Sequence, residues 1–337
     1  MSMLNPFKSD AFNLIAMTEA INRIPNFYDR TGQLNLFRPI SLTKTTFGMD
    51  ELLEELNLLD IVPRGAPAPK NRVGKRSYRT FSTQHVPLED VVLADEVQGV
   101  RALGSENSDE TIASAIARKM FVMRRKFDQT REYFRMGALK GILADASTNT
   151  IYNYYTEFGV TPEVHDFDLD DSNTDVNAKC REVLRHIDDN LEGEMASGVH
   201  CFVSPEFYDA LVAHASVKEA FKYFLTTQQL SGDYRGRFAF GGIVFEEYRG
   251  NSKDSAGTAR KFVDANYGYA FPLGTSSFAE IFAPADFNET VNTPGLPYYA
   301  KQEPMPMNRG TSIHAQMNVL PICLRPRVIV KVGMNID

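Results

Sequence analysis

Disulfide chemistry is the first thing this chain does without. Its three cysteines, Cys180, Cys201 and Cys323, are too few and too widely spaced to staple a small secreted fold. The protein is therefore expected to be made and used in a reducing cytosol. Long apolar runs are missing too. No stretch approaches the ~18 consecutive apolar residues that a membrane span needs. The opening Met1-Ser-Met-Leu-Asn-Pro-Phe-Lys has no basic segment followed by an apolar one. Positive charge is in deficit: the formal net charge is −7, so any contact with DNA is left to local basic patches. Internal repeats and low-complexity tracts are also absent.

Recognisable reaction chemistry is equally scarce. Asp166, Asp168, Asp170 and Asp171 resemble the start of a calcium loop. Asp171 stands where that loop needs glycine and Asn177 where it needs a bidentate glutamate, so a solvated linker explains the run better. His186, His200, Cys201 and Cys180 fit no closed zinc spacing, and Cys180 lies on an apolar helix face. Ser204 reads as a helix cap, since no Gly-x-Ser-x-Gly elbow surrounds it. Gly241 and Gly242 lack phosphate-loop spacing and read as a hairpin turn. No carboxylate pair, triad or cofactor loop emerges. An enzyme is not expected, nor a metal or a cofactor.

What is present is ordinary soluble composition, 43% apolar and 23% charged over 337 residues, long enough for two lobes or more. The dominant pattern runs from Asn107 to about Leu143. Asn107 and Glu110 form an N-cap and N3 pair. Ile112, Ile116, Met120, Met123, Phe127, Phe134, Ala138 and Ile142 then recur at helical steps, with no proline among them. The spacing predicts one helix of roughly 50 Å. Its other face carries Arg118, Arg124, Arg125, Asp128, Arg131, Glu132 and Arg135, several at pairing distance along the helix. Such a face is solvated or meets another subunit, and nucleic-acid contact by Arg124-Arg125-Lys126 is the less favoured reading. A rod this long needs a surface to lie along; an ordinary bundle helix is the alternative.

Before the rod, Arg64 to Arg79 holds Gly65, Pro67, Pro69 and Gly74 among Arg64, Lys70, Arg72, Lys75, Arg76 and Arg79. Tyr78 to Val86 alternates as a strand does, while Glu51 to Leu59 reads as a helix or as a strand ending at Pro63. The simplest object is a two-stranded finger with a basic Gly/Pro-rich tip; a flexible basic loop is the alternative. Isolated hairpins are marginal in water, and the preceding segment offers only the amphipathic stretch Phe12 to Ile24. This first quarter of the chain is therefore expected to need neighbouring subunits.

After the rod, Ile151 to Val160 reads as a strand pair closing against it, and Asp166 to Asn173 as a boundary. A second lobe follows. Thr174 caps a helix with Val176, Cys180, Val183, Leu184, Ile187 and Leu191 inward. Val199 to Val203 is a strand, and Ser204-Pro205 starts a helix carrying Phe207 and Leu211. A further helix carries Val217, Phe221 and Phe224. Phe238 to Phe245 is a hairpin, and Phe262-Val and Tyr269-Ala-Phe add strands. Leu320 to Val332 reads as one strong strand pairing back with the first lobe, which makes the second lobe an insertion.

In order along the chain, several short segments together resemble the lambda-type (protein E) family of tailed-bacteriophage major capsid proteins. They are Leu4-Asn-Pro-Phe with Asp10-Ala-Phe, Arg64-Gly-Ala-Pro to Gly74-Lys-Arg, and Asp90-Val-Val-Leu through Glu96-Val-Gln-Gly. Phe134-Arg-Met-Gly-Ala-Leu-Lys-Gly, Ile151-Tyr-Asn, Thr156-Glu-Phe-Gly-Val-Thr, Thr290-Val-Asn-Thr-Pro-Gly-Leu-Pro and Leu324-Arg-Pro-Arg follow.

The resemblance implies an α+β chain of the Hong Kong 97-type capsid fold. Its parts would be an N-terminal arm (1–42), an extended loop (43–88), a peripheral domain (89–165 and 289–337) and an inserted axial domain (166–288). It implies hexamers and pentamers of an icosahedral shell enclosing double-stranded DNA, with trimeric contacts between them. Scaffolding, decoration and portal proteins would be partners, and DNA contact would be non-specific. There would be no membrane partner, and assembly would take place in the host cytoplasm. Arg64, Lys70, Arg72, Lys75, Arg76, Arg124 and Arg125 are the candidate inter-subunit contacts. No fused scaffolding domain is expected ahead of Leu4-Asn-Pro-Phe. Lys70 and Lys75 have no identifiable partners for a covalent crosslink, so none is expected. A nanocompartment shell protein of the same fold is the alternative.

Overall fold

The computed structural model describes residues 14–25, 29–52, 76–96, 112–218, 220, 237–253 and 257–336. Helix α1 (Leu14–Arg23) and the short α2 (Arg30–Gln33) lead into β1 (Arg38–Ser41). Strands β2 (Thr46–Leu52), β3 (Arg76–Ser82) and β4 (Gln84–Leu93) precede the long α3 (Ile112–Leu139). A hairpin of β5 (Ile142–Ala144) and β6 (Thr150–Asn153) runs into α4 (Tyr154–Phe158). Then come β7 (Glu163–Asp166), α5 (Val176–Asp189), β8 (Gly198–Val203) and α6 (Pro205–Ala213). Strands β9 (Arg237–Phe240), β10 (Ile243–Glu247), β11 (Asn251–Lys253), β12 (Ala259–Lys261) and β13 (Tyr267–Leu273) follow. The chain closes with β14 (Phe278–Phe282), β15 (Tyr299–Pro304), β16 (Gly310–Cys323) and β17 (Val330–Gly333).

Two large sheets and two cores organise the chain, and the second sheet faces both: Phe202 and Phe271 lie in the first core, Cys201 and Ala270 in the second. In the first sheet, β16 is central: it pairs antiparallel with β4 over ten residues, with β15 and with β14, while β1 adds in parallel beside β14. In the second the order is β7-β17-β13-β8-β10-β9. Helix α3 lies against the first sheet and buries Ile116, Met120, Met123, Phe127, Phe134 and Ala138, the apolar stripe read from the sequence. Its described length, 28 residues, corresponds to about 42 Å. Asn107 and Glu110 lie outside the described residues. At the other end the helix stops earlier than the stripe suggested. Gly141 turns left-handed at φ +79°, where any Cβ would collide with the Tyr155 ring, and Ile142 begins β5 half-exposed.

Three other expectations are corrected. The described part of the N-terminal segment has a core within its own chain: Met17, Ile21, Leu36 and Phe37 are buried in the first core. A few apolar side chains suffice because the backbone between them is tied down by strand pairing and by the polar contacts described below. Residues Leu320 to Val332 are not one strand. Pro326 opens a short 3-10 turn at Pro326–Val328, so β16 stays in the first sheet while β17 pairs with β13 and β7 in the second. Strand β14, inside the expected 166–288 insertion, belongs to the first sheet.

Smaller differences are local. Tyr154 to Phe158 is a helical turn capped by Asn153 rather than a strand. Asp175, not Thr174, caps α5. Phe262 and Val263 are buried loop residues after β12. Phe221 and Phe224 lie outside the described residues. The hairpin at Gly241-Gly242 is as read, both glycines at positive φ.

Ser204 caps α6 as its sequence suggested. Its buried Oγ accepts from Phe207 N at 3.2 Å and from Asn266 N at 3.0 Å. Ser204→Ala removes both bonds and is expected to cost about 1–2 kcal/mol, measured as a lowered midpoint in urea unfolding with an unchanged slope.

Candidate functional site

The charged face of α3 is the most unexpected part of the molecule, because most of it is buried. Helical spacing puts Arg124, Asp128, Arg131, Glu132 and Arg135 on neighbouring turns. The N-terminal segment, β14 and Tyr298 then close over them. Arg124 is 3% exposed. Its Nε reaches Asp128 Oδ1 at 2.8 Å, its Nη1 donates to Ile21 O at 2.9 Å, and its guanidinium lies 3.7 Å from the Tyr298 ring centroid. The Tyr298 hydroxyl donates to Asp128 at 2.8 Å.

Glu280 is the centre of the arrangement. It is 1% exposed and accepts bidentate bonds from Arg131 at 2.7 and 2.5 Å and from Arg135 at 3.1 and 2.7 Å. Arg135 also pairs with Asp29. One turn away, Glu132 accepts from Thr31 N at 3.0 Å, Thr31 Oγ1 at 2.6 Å and Tyr248 Oη at 2.9 Å. Arg30 then reaches Glu246 on β10 through two 2.6 Å bonds, and His200 Nε2 lies 3.0 Å from the same carboxylate. One connected set of charges thus ties the N-terminal segment, the long helix and both sheets.

Burial alone would push the Glu280 carboxyl up, but the guanidiniums of Arg135 and Arg131 outweigh it and hold it down to about 2. Glu246 is also held to about 2: burial opposes, and the hydrogen bonds from His200 and Arg30 prevail. Glu132 goes the other way, raised by burial that its hydrogen bonds only partly offset.

The sequence-derived contact residues divide into four groups. Arg64, Lys70, Arg72 and Lys75 lie outside the described residues. Arg76 opens β3 opposite Leu52, in the ladder Thr46↔Ser82 to Leu52↔Arg76. That ladder is rooted in its own chain by Phe81, which is 1% exposed among Tyr152, Tyr154 and Phe158. Arg124 is corrected: its charge is spent inside its own subunit and is not presented to a neighbour. Arg125 is exposed, on a surface shared with exposed Arg118, Phe121, Val122 and Lys126. A second apolar surface is a cleft of ≈ 640 Å³ lined by Ile15, Thr18, Glu19, Pro294, Leu296 and Tyr299. Ile15 there is 69% exposed.

The other candidates do not converge. Asp168 pairs with Lys179, Asp170 accepts from Asn335, and Asp166 and Asp171 accept backbone N–H groups of their own turns and of Ile336. His200 is engaged with Glu246, and burial raises the Cys180 thiol to about 12. The one signal that pointed to the buried network was Glu280 itself, a lone carboxylate within Phe278-Ala-Glu-Ile-Phe. Such a group needs a buried cation, and Arg131 and Arg135, four apart on one helix, supply two.

Comparison with known proteins gives a consistent result. The family model for phage major capsid protein E matches residues 13–334. The major capsid protein of Salmonella phage Felix O1 is 30% identical, over 98% of each chain. That of Pseudomonas phage KPP10 is 30% identical over 97% of this chain and 98% of its own. Among solved structures, one described as a prophage capsid protein of E. coli CFT073 has a TM-score of 0.56 at 13% identity, covering 94% of this chain and 97% of that one. A phage-related protein from Bordetella bronchiseptica RB50 has a TM-score of 0.52 at 11% identity, covering 96% and 98%.

Glu280→Gln leaves two buried guanidiniums without their carboxylate and is expected to cost about 3–5 kcal/mol, read as a lowered thermal midpoint. The pH dependence has a definite sign. An unfolded glutamate takes up its proton near 4.5, while folded Glu280 and Glu246 stay ionised to about 2. Unfolding therefore takes up protons in that window, so their contribution is complete above 4.5 and is lost as the pH falls towards 2. The thermal midpoint of Glu280→Gln should depend less steeply on pH across this range than that of the unsubstituted protein.

Proposed function

The chain belongs to the phage major capsid protein E family, with the Hong Kong 97-type capsid fold, and from that premise we propose how its surfaces build a shell. It is a structural protein of the virion and not an enzyme. A nanocompartment shell shares the fold, but the family model and both curated relatives are phage capsid proteins.

In the proposed assembly, subunits form hexamers and pentamers of an icosahedral shell around double-stranded DNA, built in the host cytoplasm. The observation that carries this reading is the β2–β3 ladder. It is anchored by Phe81 at one end, and its connecting residues 53–75 hold Arg64, Lys70, Arg72 and Lys75. With Arg76, these cations suit acidic surface on an adjacent subunit, since a chain of net charge −7 offers plenty. Such contacts set register and partner choice more than affinity.

The lobe containing the second sheet is the axial domain, meeting its copies at capsomer centres. The first lobe joins capsomers at threefold positions, where the face bearing Phe121, Val122 and Arg125 and the cleft beside Ile15 supply exposed apolar area. Each interface is modest, and the shell holds because every subunit engages several at once. Scaffolding, decoration and portal proteins are the further partners. Contact with DNA is non-specific.

Two substitution sets test the proposal. Replacing Lys70, Arg72, Lys75 and Arg76 with Ser should leave the chain folded by circular dichroism while reducing capsomers in sedimentation velocity. Unchanged yield and thermal stability of assembled particles would refute the role of the finger. Phe121→Ser with Val122→Ser should leave the monomer within about 0.5 kcal/mol of its original stability, as substitutions at exposed positions usually do. The same pair should lower particle yield by electron microscopy.

A further inference from the structure

At the edge of the second sheet, β7 carries Glu163 and His165 two residues apart, so their side chains share one face of the strand. Helix α5 brings His186 to that face. One ligand atom from each of Glu163, His165 and His186 lies within 4.8 Å of the others. The central atom is Glu163 Oε1, 3.1 Å from His165 Nε2 and 3.9 Å from His186 Nδ1. Tetrahedral ligands around zinc stand about 3.3 Å apart, so small side-chain rotations close the set. We propose that Glu163, His165 and His186 bind a divalent transition-metal ion of the zinc class, with water completing its coordination.

Two further observations point the donor atoms inward. His186 Nε2 lies 2.9 Å from Arg327 O. A carbonyl oxygen only accepts, so Nε2 carries the proton and the Nδ1 lone pair faces Glu163. This is the outer-shell bond that metal-ligating histidines ordinarily make. His165 Nε2 is buried without a hydrogen-bond partner, and the nearest charged oxygen is Glu163 Oε1 at 3.1 Å. Its Nδ1 has the Glu182 carboxylate 3.9 Å away, a group able to accept the Nδ1 proton when Nε2 ligates a metal. An imidazole nitrogen left unpaired in this way is costly unless something accepts its lone pair. Two imidazoles and one carboxylate suit zinc, cobalt or nickel rather than the all-oxygen shells of calcium and magnesium.

The ion would bridge an edge strand to the helix packed on it, beside the Arg327 turn through which the chain enters β17. That location makes it a clamp within one subunit, independent of how subunits assemble.

The test uses the full-length protein freed of metal by chelation, titrated with Zn²⁺ against a chromophoric chelator, and with Co²⁺ followed by visible absorption. The expected result is one ion per chain, a tetrahedral cobalt spectrum without thiolate charge-transfer bands, and a raised thermal midpoint. His186→Ala and His165→Ala should weaken binding by about 10–100-fold or more. The milder Glu163→Gln should weaken it without altering the circular dichroism spectrum, and His85→Ala, on the other lobe, should leave it unchanged. Absence of saturable binding, thiolate bands in the cobalt spectrum, or full affinity in Glu163→Gln and the two histidine variants together would overturn the assignment.

Discussion

The seating of α3 and of the N-terminal segment on the first sheet depends on the neutralisation of Glu280. A carboxylate that is 1% exposed in the middle of a sheet is tolerated only with cations beside it. Arg131 and Arg135 reach it only if α3 crosses β14 at one height and one rotation. Once they are there, Arg135 has a donor left for Asp29, and Glu132 a carboxylate for Thr31. The N-terminal segment is thus seated by charges that the helix already presents. Arg30 carries the chain of contacts on to Glu246 and His200 in the second sheet. Buried ion pairs contribute little net stability compared with apolar packing, but breaking one is expensive. Their use here is to fix register between four pieces of chain far apart in sequence.

The same fact explains where reading the sequence succeeds and where it does not. Local signals survive: the Ile116 to Ala138 stripe, the Ser204-Pro205 helix start and the Gly241-Gly242 hairpin each depend on a few neighbouring residues. The root of the finger is legible for the same reason, since Tyr78 to Ser82 alternates and Phe81 points inward. The buried face of α3 was not legible, because Arg124, Arg131 and Arg135 are charged and periodicity places charges in solvent. Only a partner contributed from residue 280 reverses that, and nothing near residue 131 announces it. The N-terminal segment failed similarly: sparse apolar content suggested dependence on neighbours, whereas Met17 and Ile21 find a core in their own chain.

For shell building, the division of labour is between rigid registration inside a subunit and exposed surface outside it. The exposed patches, around Phe121 and Ile15 and along the β2–β3 ladder, sit on elements whose own positions are fixed by the buried network or by Phe81. A surface held in this way needs less ordering when it meets its partner, so more of the contact energy is kept. The metal-ligating set at Glu163, His165 and His186 belongs to the same design: it stiffens an edge strand rather than adding a contact.

The path of the chain between the lobes has a mechanical corollary. Covalent backbone passes from the β5–β6 hairpin to the second sheet between Asn153 and Glu163, and between the two large sheets from Leu273 to Phe278 and from Cys323 to Val330. A wall filled with a self-repelling polyanion is stretched in its own plane. Tension drawn through the second lobe is then delivered along β17 and β16 into the middle of the opposite sheet, where ten residues of ladder with β4 must shear together. The lobes are sewn as well as packed, since Phe202 and Phe271 of the second sheet lie in the first core, and a pull that would peel apart two docked modules is here shared with covalent threads.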